Sequence, residues 1–168
     1  MPDEINPVQF VEGINEGALP TQMRFIRVQE YPWFAIQYSS NYRFSLSKID
    51  IGLLWGKYTE PVEYGVKLLS DYKDNPTDII LSEGKLVFDI TESGFGWRRV
   101  ELNHPVVVMS GKKYWISLES KQALYSLLRP EEGAGVAMRV YVNDLWLSGS
   151  GSVYKLMLRF YGRILHNT

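Results

Sequence analysis

Histidine, the side chain best suited to acid–base work near neutral pH, occurs only twice, at His104 and His166. His104 precedes Pro105 in a turn, His166 stands close to the last residue, and no G-x-S-x-G or comparable nucleophile motif accompanies either. Both read as surface histidines, and no catalytic residue is assigned. Asp71, Asp74, Asn75 and Asp78 form the one acidic cluster that could hold a hard cation, since calcium needs several oxygens. Their spacing departs from the EF-hand pattern, and Asx-rich turns form between strands without a metal. Calcium stays open there as an alternative, and the expectation is no metal and no cofactor. Glycoside hydrolysis needs two carboxylates about 5–10 Å apart across a cleft. Asp50, Glu63, Asp89 and Glu101 supply acids, but nothing in their spacing selects a pair.

Aromatic residues are the stronger candidates for a ligand surface. Trp55 and Tyr58 bracket Gly56-Lys57 in a loop that could present both rings to a sugar. Trp33 follows Pro32, and Trp146 follows Asn143-Asp144, in similar settings. Such rings stack on sugars or anchor protein interfaces, because each carries an apolar body with a polar edge. They could equally close the ends of a packed domain. The segment Ser148 to Ser152 (SGSGS) lacks the lysine of a phosphate-binding loop and reads as a hairpin connection.

The elements that would position these residues are short. Met23 to Val28 and Trp33 to Tyr38 flank the Tyr31-Pro32 break, and Lys48 to Trp55 (KIDIGLLW) alternates as a strand does. Tyr64 to Ser70 has period-two alternation and ends in the turn formers DYKDNPTD, after which Ile79 to Ile90 resumes extended character around Gly84. Trp97 to Leu102 is broken by His104-Pro105 before Val106 to Met109. Ser110-Gly111-Lys112 is a tight turn leading to Lys113 to Glu119. Tyr125 to Leu128, Met138 to Val142 and Lys155 to Tyr161 complete a set of about ten strands, the spacing of a sandwich or barrel. Lys121 to Arg129 is the one stretch of helical length, and a helical turn over Pro7 to Glu12 is the other local alternative. Residues 1–21 read as an N-terminal arm and residues 22–168 as one domain.

The whole chain supports that reading. Its 168 residues suffice for one hydrophobic core, and 45% hydrophobic with 22% charged residues is ordinary for a globular protein. The 5 Trp, 11 Tyr and 7 Phe favour pleated surfaces. With 18 basic against 19 acidic residues there is no excess of positive charge to neutralise phosphates, which argues against nucleic acid as a partner. No apolar run approaches the length of a membrane span, so no membrane insertion is expected. Zero cysteines exclude disulfides and thiolate metal sites. The acidic opening MPDEINPVQF is unlike a secretory signal, and synthesis in a cytoplasm is expected.

From Lys48 onward the order of motifs resembles a jelly-roll β-sandwich family found in phage virion proteins and in carbohydrate-binding-like modules. The matching residues are VKLLSD with the Asn75-Pro76 turn, Ile79 to Leu81 leading to Gly84, then WRRVELNHPVVVMSGKKYWISLES, and finally Leu156 with Leu158-Arg159-Phe160-Tyr161-Gly162. The resemblance implies an all-β, two-sheet antiparallel sandwich of jelly-roll type, with Trp97 and Trp115 filling the space between the sheets and Gly111 at positive φ. It implies a non-enzymatic virion component, in capsid decoration or in a tail or baseplate. Its partners would be other virion proteins and copies of itself, a trimer favoured. The alternative is a carbohydrate-binding module for surface glycans, using Trp33, Trp55, Tyr58 and Trp146.

Overall fold

A computed structural model describes residues 7–14, 24–28, 33–58, 60–88, 92, 94–120, 124–130, 138–142, 145–148 and 154–165. All regular structure among them is β. In chain order the strands are β1 (Gln9–Ile14), β2 (Arg24–Val28), β3 (Trp33–Ser39), β4 (Phe44–Trp55), β5 (Val62–Tyr72), β6 (Asn75–Phe88) and β7 (Gly94–Val108). There follow β8 (Lys113–Ser120), β9 (Leu124–Pro130), β10 (Met138–Val142), β11 (Leu145–Ser148), β12 (Tyr154–Leu156) and β13 (Leu158–Ile164).

They build two antiparallel sheets. One has seven strands in the order β1-β13-β4-β9-β12, with β7 also paired to β4 and β2 to β9. The other has six in the order β11-β10-β3-β8-β5-β6. The chain is therefore a two-sheet β-sandwich, as its strand pattern implies.

Alternation puts one face of each sheet into a shared dry layer. Phe44, Leu46, Ile49, Ile51 and Leu53 of β4, with Val100 of β7 and Leu158 and Phe160 of β13, meet Tyr64, Val66 and Leu68 of β5 and Tyr114, Ile116 and Leu118 of β8. Tyr38 of β3 stacks on Phe160 across the layer, with ring centroids 4.2 Å apart. Burying each such side chain stabilises the fold by about 1.5–3 kcal/mol.

The two tryptophans expected in this layer are elsewhere. Trp115 is fully buried but points to the opposite face of its sheet from Tyr114 and Ile116. It packs there with Ala35 and Leu69 and donates its indole N–H to Asp71 at 2.7 Å. Trp97 is an odd-numbered residue on a strand whose inward residues, Val100 and Leu102, are even, so it lies on the outer face of the seven-stranded sheet. Both indoles follow the period of their strands, whose inward positions are taken by Tyr114 and Ile116 on β8 and by Val100 and Leu102 on β7.

Element boundaries differ in two places. Gln9–Ile14 is an edge strand on β13, with no helical turn, because pairing with Leu158–Gly162 satisfies its backbone. Residues 1–6 and 15–21 of the expected arm lie outside the described residues. Pro105 does not end a strand. β7 runs through it, and Leu102–Pro105 simply has no pairing partner between Glu101↔Lys48 and Val106↔Leu46. Leu124–Pro130 is strand β9, which agrees with the strand expected over Tyr125 to Leu128 and sets aside the helical alternative. Gly111 has φ 77°, as expected for its turn.

The sandwich is closed along one side where β6 crosses β7. Ser82 Oγ donates to the His104 carbonyl at 2.7 Å, and His104 Nε2 lies 2.9 Å from the Leu81 carbonyl. The backbones come so close that a Cβ on Gly84 would stand 2.3 Å from the Glu101 carbonyl oxygen. Gly162, packed on β4, is equally confined: a Cβ there would stand 2.1 Å from the Ser45 carbonyl oxygen. Gly84→Ala and Gly162→Ala should each destabilise the protein by about 1–3 kcal/mol in urea unfolding, because backbone must shift to admit the methyl group. Gly56→Ala, with nothing within 4 Å of its added carbon, should change stability by less than about 0.5 kcal/mol.

Candidate functional site

The four aromatic candidates divide into two pairs. Trp55 is only 9% exposed and belongs to the core, so the surface display expected of it does not occur. The reason is local. Gly94 pairs with Trp55 and Gly96 with Leu53, and their missing side chains leave a ledge on which the indole lies, 3.1 Å from where a Gly94 Cβ would be. The guanidinium of Arg98 covers the ring, its carbon 4.6 Å from the ring centroid. Tyr58 packs half-buried against the same core, and its hydroxyl accepts the Gly56 N–H at 3.3 Å.

Trp33 and Trp146 come into one row through the backbone. Tyr141 of β10 is the register partner of Trp33 on β3 and of Trp146 on β11, so Trp33, Tyr141 and Trp146 sit side by side across three strands of the six-stranded sheet. The side chains of these three lie outside the described structure. Trp55 and Tyr58 do not join this row.

Period-two reading alone misses a second constellation, on the outer face of the seven-stranded sheet. Asp50 of β4 is 6% exposed and takes two hydrogen bonds from Arg99 of β7, from Nε at 2.8 Å and from Nη2 at 3.3 Å. That carboxylate holds the Arg99 guanidinium above its already high pKa, chiefly through the hydrogen bond. Arg99 also lies over the Tyr161 ring at 4.4 Å, and Arg159 lies over Trp97 at 3.9 Å. Phe10 of β1 meets Tyr161 edge-on at 5.8 Å, and Lys48 pairs with Glu101 at 3.7 Å. Each ring face is thereby covered by a cation, an arrangement worth about 0.5–1 kcal/mol per exposed pair. The signal was present as Trp97-x-Arg99 and Arg159-x-Tyr161, but recognising it requires knowing that β4 lies between their strands.

Other acids are engaged in the same structural way. Asp71 holds the Trp115 indole. Asp74 accepts from Lys113 Nζ at 2.5 Å, and Asn75 donates to the Lys73 carbonyl at 3.2 Å. These residues form a two-residue hairpin turn with Lys73 and Asp74 at φ 50° and 62°. Among the described residues no three histidine or acidic side chains converge as metal ligands. Glu119 pairs with Lys67 at 3.3 Å. Glu12 of β1 reaches across the sandwich to accept the Tyr38 hydroxyl at 2.5 Å, tying the first strand to the opposite sheet. The arrangement serves cohesion between strands more directly than attack on a bound molecule.

No protein-family model matches the chain, and no curated protein matches it either.

Burial, and then the Glu12 carboxylate, raise the Tyr38 pKa well above its ordinary value of 10.0. The folded state thus keeps a proton that the unfolded chain releases above pH 10, so this contribution is complete below pH 10 and is lost as pH rises beyond it. Tyr38→Phe should flatten the alkaline fall of the urea midpoint relative to the wild type. Superimposable alkaline profiles would refute the assignment.

Proposed function

We propose that the chain is a non-enzymatic virion structural or accessory protein of a phage, a capsid-decoration or tail and baseplate component that assembles through protein–protein contacts. The jelly-roll kinship suggested by its motif order supports this reading. The observation that carries it is the distribution of exposed apolar side chains, which follow the rim strands. Val8 and Phe10 stand at β1, Ile79, Ile80 and Val87 on β6, and Phe95 and Val107 on β7, with Ile79 61%, Val87 58% and Phe95 52% exposed. Scattered apolar residues are normal on a surface, but a series along outer strands fits contact with neighbouring subunits. Other virion proteins and further copies of the chain are the partners proposed, with a closed trimer favoured.

Light scattering on the purified protein should give a defined oligomer. Phe95→Ser combined with Ile79→Ser should shift it towards the monomer without lowering the melting temperature. A strictly monomeric wild type that decorates no copurifying particle would count against the assignment.

The row Trp33–Tyr141–Trp146 favours one second reading, a carbohydrate-binding module for a surface glycan. Three neighbouring aromatic positions across adjacent strands provide the spacing on which a sugar chain could stack. Trp55→Ala would not test it, since that change empties a core position at a cost of about 3–5 kcal/mol. Trp146→Ala is the better probe: it should abolish glycan-array binding while the unfolding curve is retained. Silence of the wild type on a broad array would set this reading aside.

A further inference from the structure

Val107 of β7 and Arg163 of β13 are both register partners of Ser45 on β4, so the three stand side by side across the seven-stranded sheet. They lie on its outer face, because Phe44, Val108 and Ile164 next to them turn inward. Phe10 of β1, edge-on to the Tyr161 ring, is the large group beyond β13. Val107 is 46% and Phe10 44% exposed, and Ser45 is half-buried between Val107 and Arg163.

Arg163 is exposed, and it differs from the other arginines with described side chains. Arg98 lies over Trp55, Arg99 is bound by Asp50, Arg159 lies over Trp97, and Arg43 has contacts of its own. Among the described residues nothing pairs with Arg163. The acids of β1, β4 and β7 are engaged: Glu12 by the Tyr38 hydroxyl, Asp50 by Arg99 and Glu101 by Lys48. β13 has no acid.

The converse occurs on β6, which ends the six-stranded sheet. Asp78 is exposed, has no partner among the described residues, and directly precedes Ile79 and Ile80, 61% and 46% exposed. Glu60, Glu83 and Glu92 are likewise without a partner there, but none adjoins a large exposed apolar side chain.

We infer that these two margins are the two halves of one contact between copies of the chain: Arg163, Val107 and Phe10 of one copy receive Asp78, Ile79 and Ile80 of the next. The inference rests on the assembly reading and names the surfaces that meet. A guanidinium takes a carboxylate through two parallel N–H···O bonds, and apolar groups around the pair keep water from it. The two patches differ and stand on different sheets, so the contact is head-to-tail, the kind that closes into rings such as the trimer favoured above. Pairing either patch with itself about a two-fold axis fits less well, because it would oppose like charges.

Light scattering of the full chain over a dilution series tests it. Arg163→Glu and Asp78→Arg should each raise the dissociation constant about tenfold or more, with the melting temperature unchanged. The variant carrying both changes should recover the wild-type oligomer, since the charges are exchanged and still complementary. Rising salt should weaken the wild-type contact. An oligomer indifferent to both single reversals overturns the inference and leaves the assembly reading standing. So does a doubly changed chain that stays dissociated when both single variants dissociate, because the two sites then do not meet. An oligomer that survives Arg163→Glu while attachment to a copurifying particle is lost would give the patch to a different protein and overturn the inference as well. A monomeric wild type would remove the assembly reading together with it.

Discussion

The inner face of β4 changes parity at Ser47, and both sheets are arranged around that change. Phe44 and Leu46 point into the layer from even positions, while Ile49, Ile51, Leu53 and Trp55 do so from odd ones. A strand with strict period two would send one of these groups to solvent, so an extra residue must be inserted between them. Ser47 is that residue. It is skipped in the pairing with β13, between Tyr161↔Lys48 and Gly162↔Leu46, and again in the pairing with β7. Its hydroxyl donates to the Tyr161 carbonyl at 3.4 Å. The kink presses β13 onto β4 at Gly162, and on the other side it faces the unpaired Leu102–Pro105 of β7, where His104 reaches β6. One inserted serine thus connects the register of three strands with the closure of the sandwich edge.

The same irregularity decides what could be read from the residues alone. Lys48–Trp55 alternates cleanly and is recognisable as a strand, but Phe44–Ser47 alternates in the opposite phase and does not join it by pattern. Likewise β7 looks like two strands because Pro105 normally ends one, and nothing local shows that the neighbouring strand has a bulge opposite. Strand existence and the two-sheet class depend on local alternation and turn residues, which is why they were legible. Tryptophan placement depends on which residues stand across the strand, and that is non-local. Trp55 read as a displayed ring because a glycine followed it. The glycines that actually determine its position, Gly94 and Gly96, are forty residues away.

The two faces of the seven-stranded sheet use aromatic rings differently. Inside, Tyr38 and Phe160 stack with little water, and burial supplies the energy. Outside, Trp97 and Tyr161 are each roofed by an arginine from a strand two places away, and Asp50 holds one of those arginines. These contacts cross β4, so they tie β7 to β13, which do not pair directly. An outer face stitched in this manner needs no covering layer. Its arginines and rings satisfy one another, which makes the middle of that face a poor candidate for a binding platform and leaves its margin, where Phe10, Phe95 and Val107 are exposed.

Where a partner can act is therefore constrained by what the fold already uses. The inner layer is occupied, the outer face of the seven-stranded sheet is self-satisfied, and Trp115 seals a second small cluster on the six-stranded one. The exposed groups that contribute little to cohesion are at the margins: the apolar side chains along β1, β6 and β7, and the turns bearing Tyr42, Tyr72 and Met109. Marginal placement permits binding energy to be gained without loosening the core, because those side chains are large, exposed and mounted on backbone fixed by neighbouring turns. The buried or half-buried acids are used differently: Glu12, Asp50, Asp71 and Glu119 are each held by a partner on another strand, so their charge joins strands and contributes to the cohesion on which the marginal side chains are mounted.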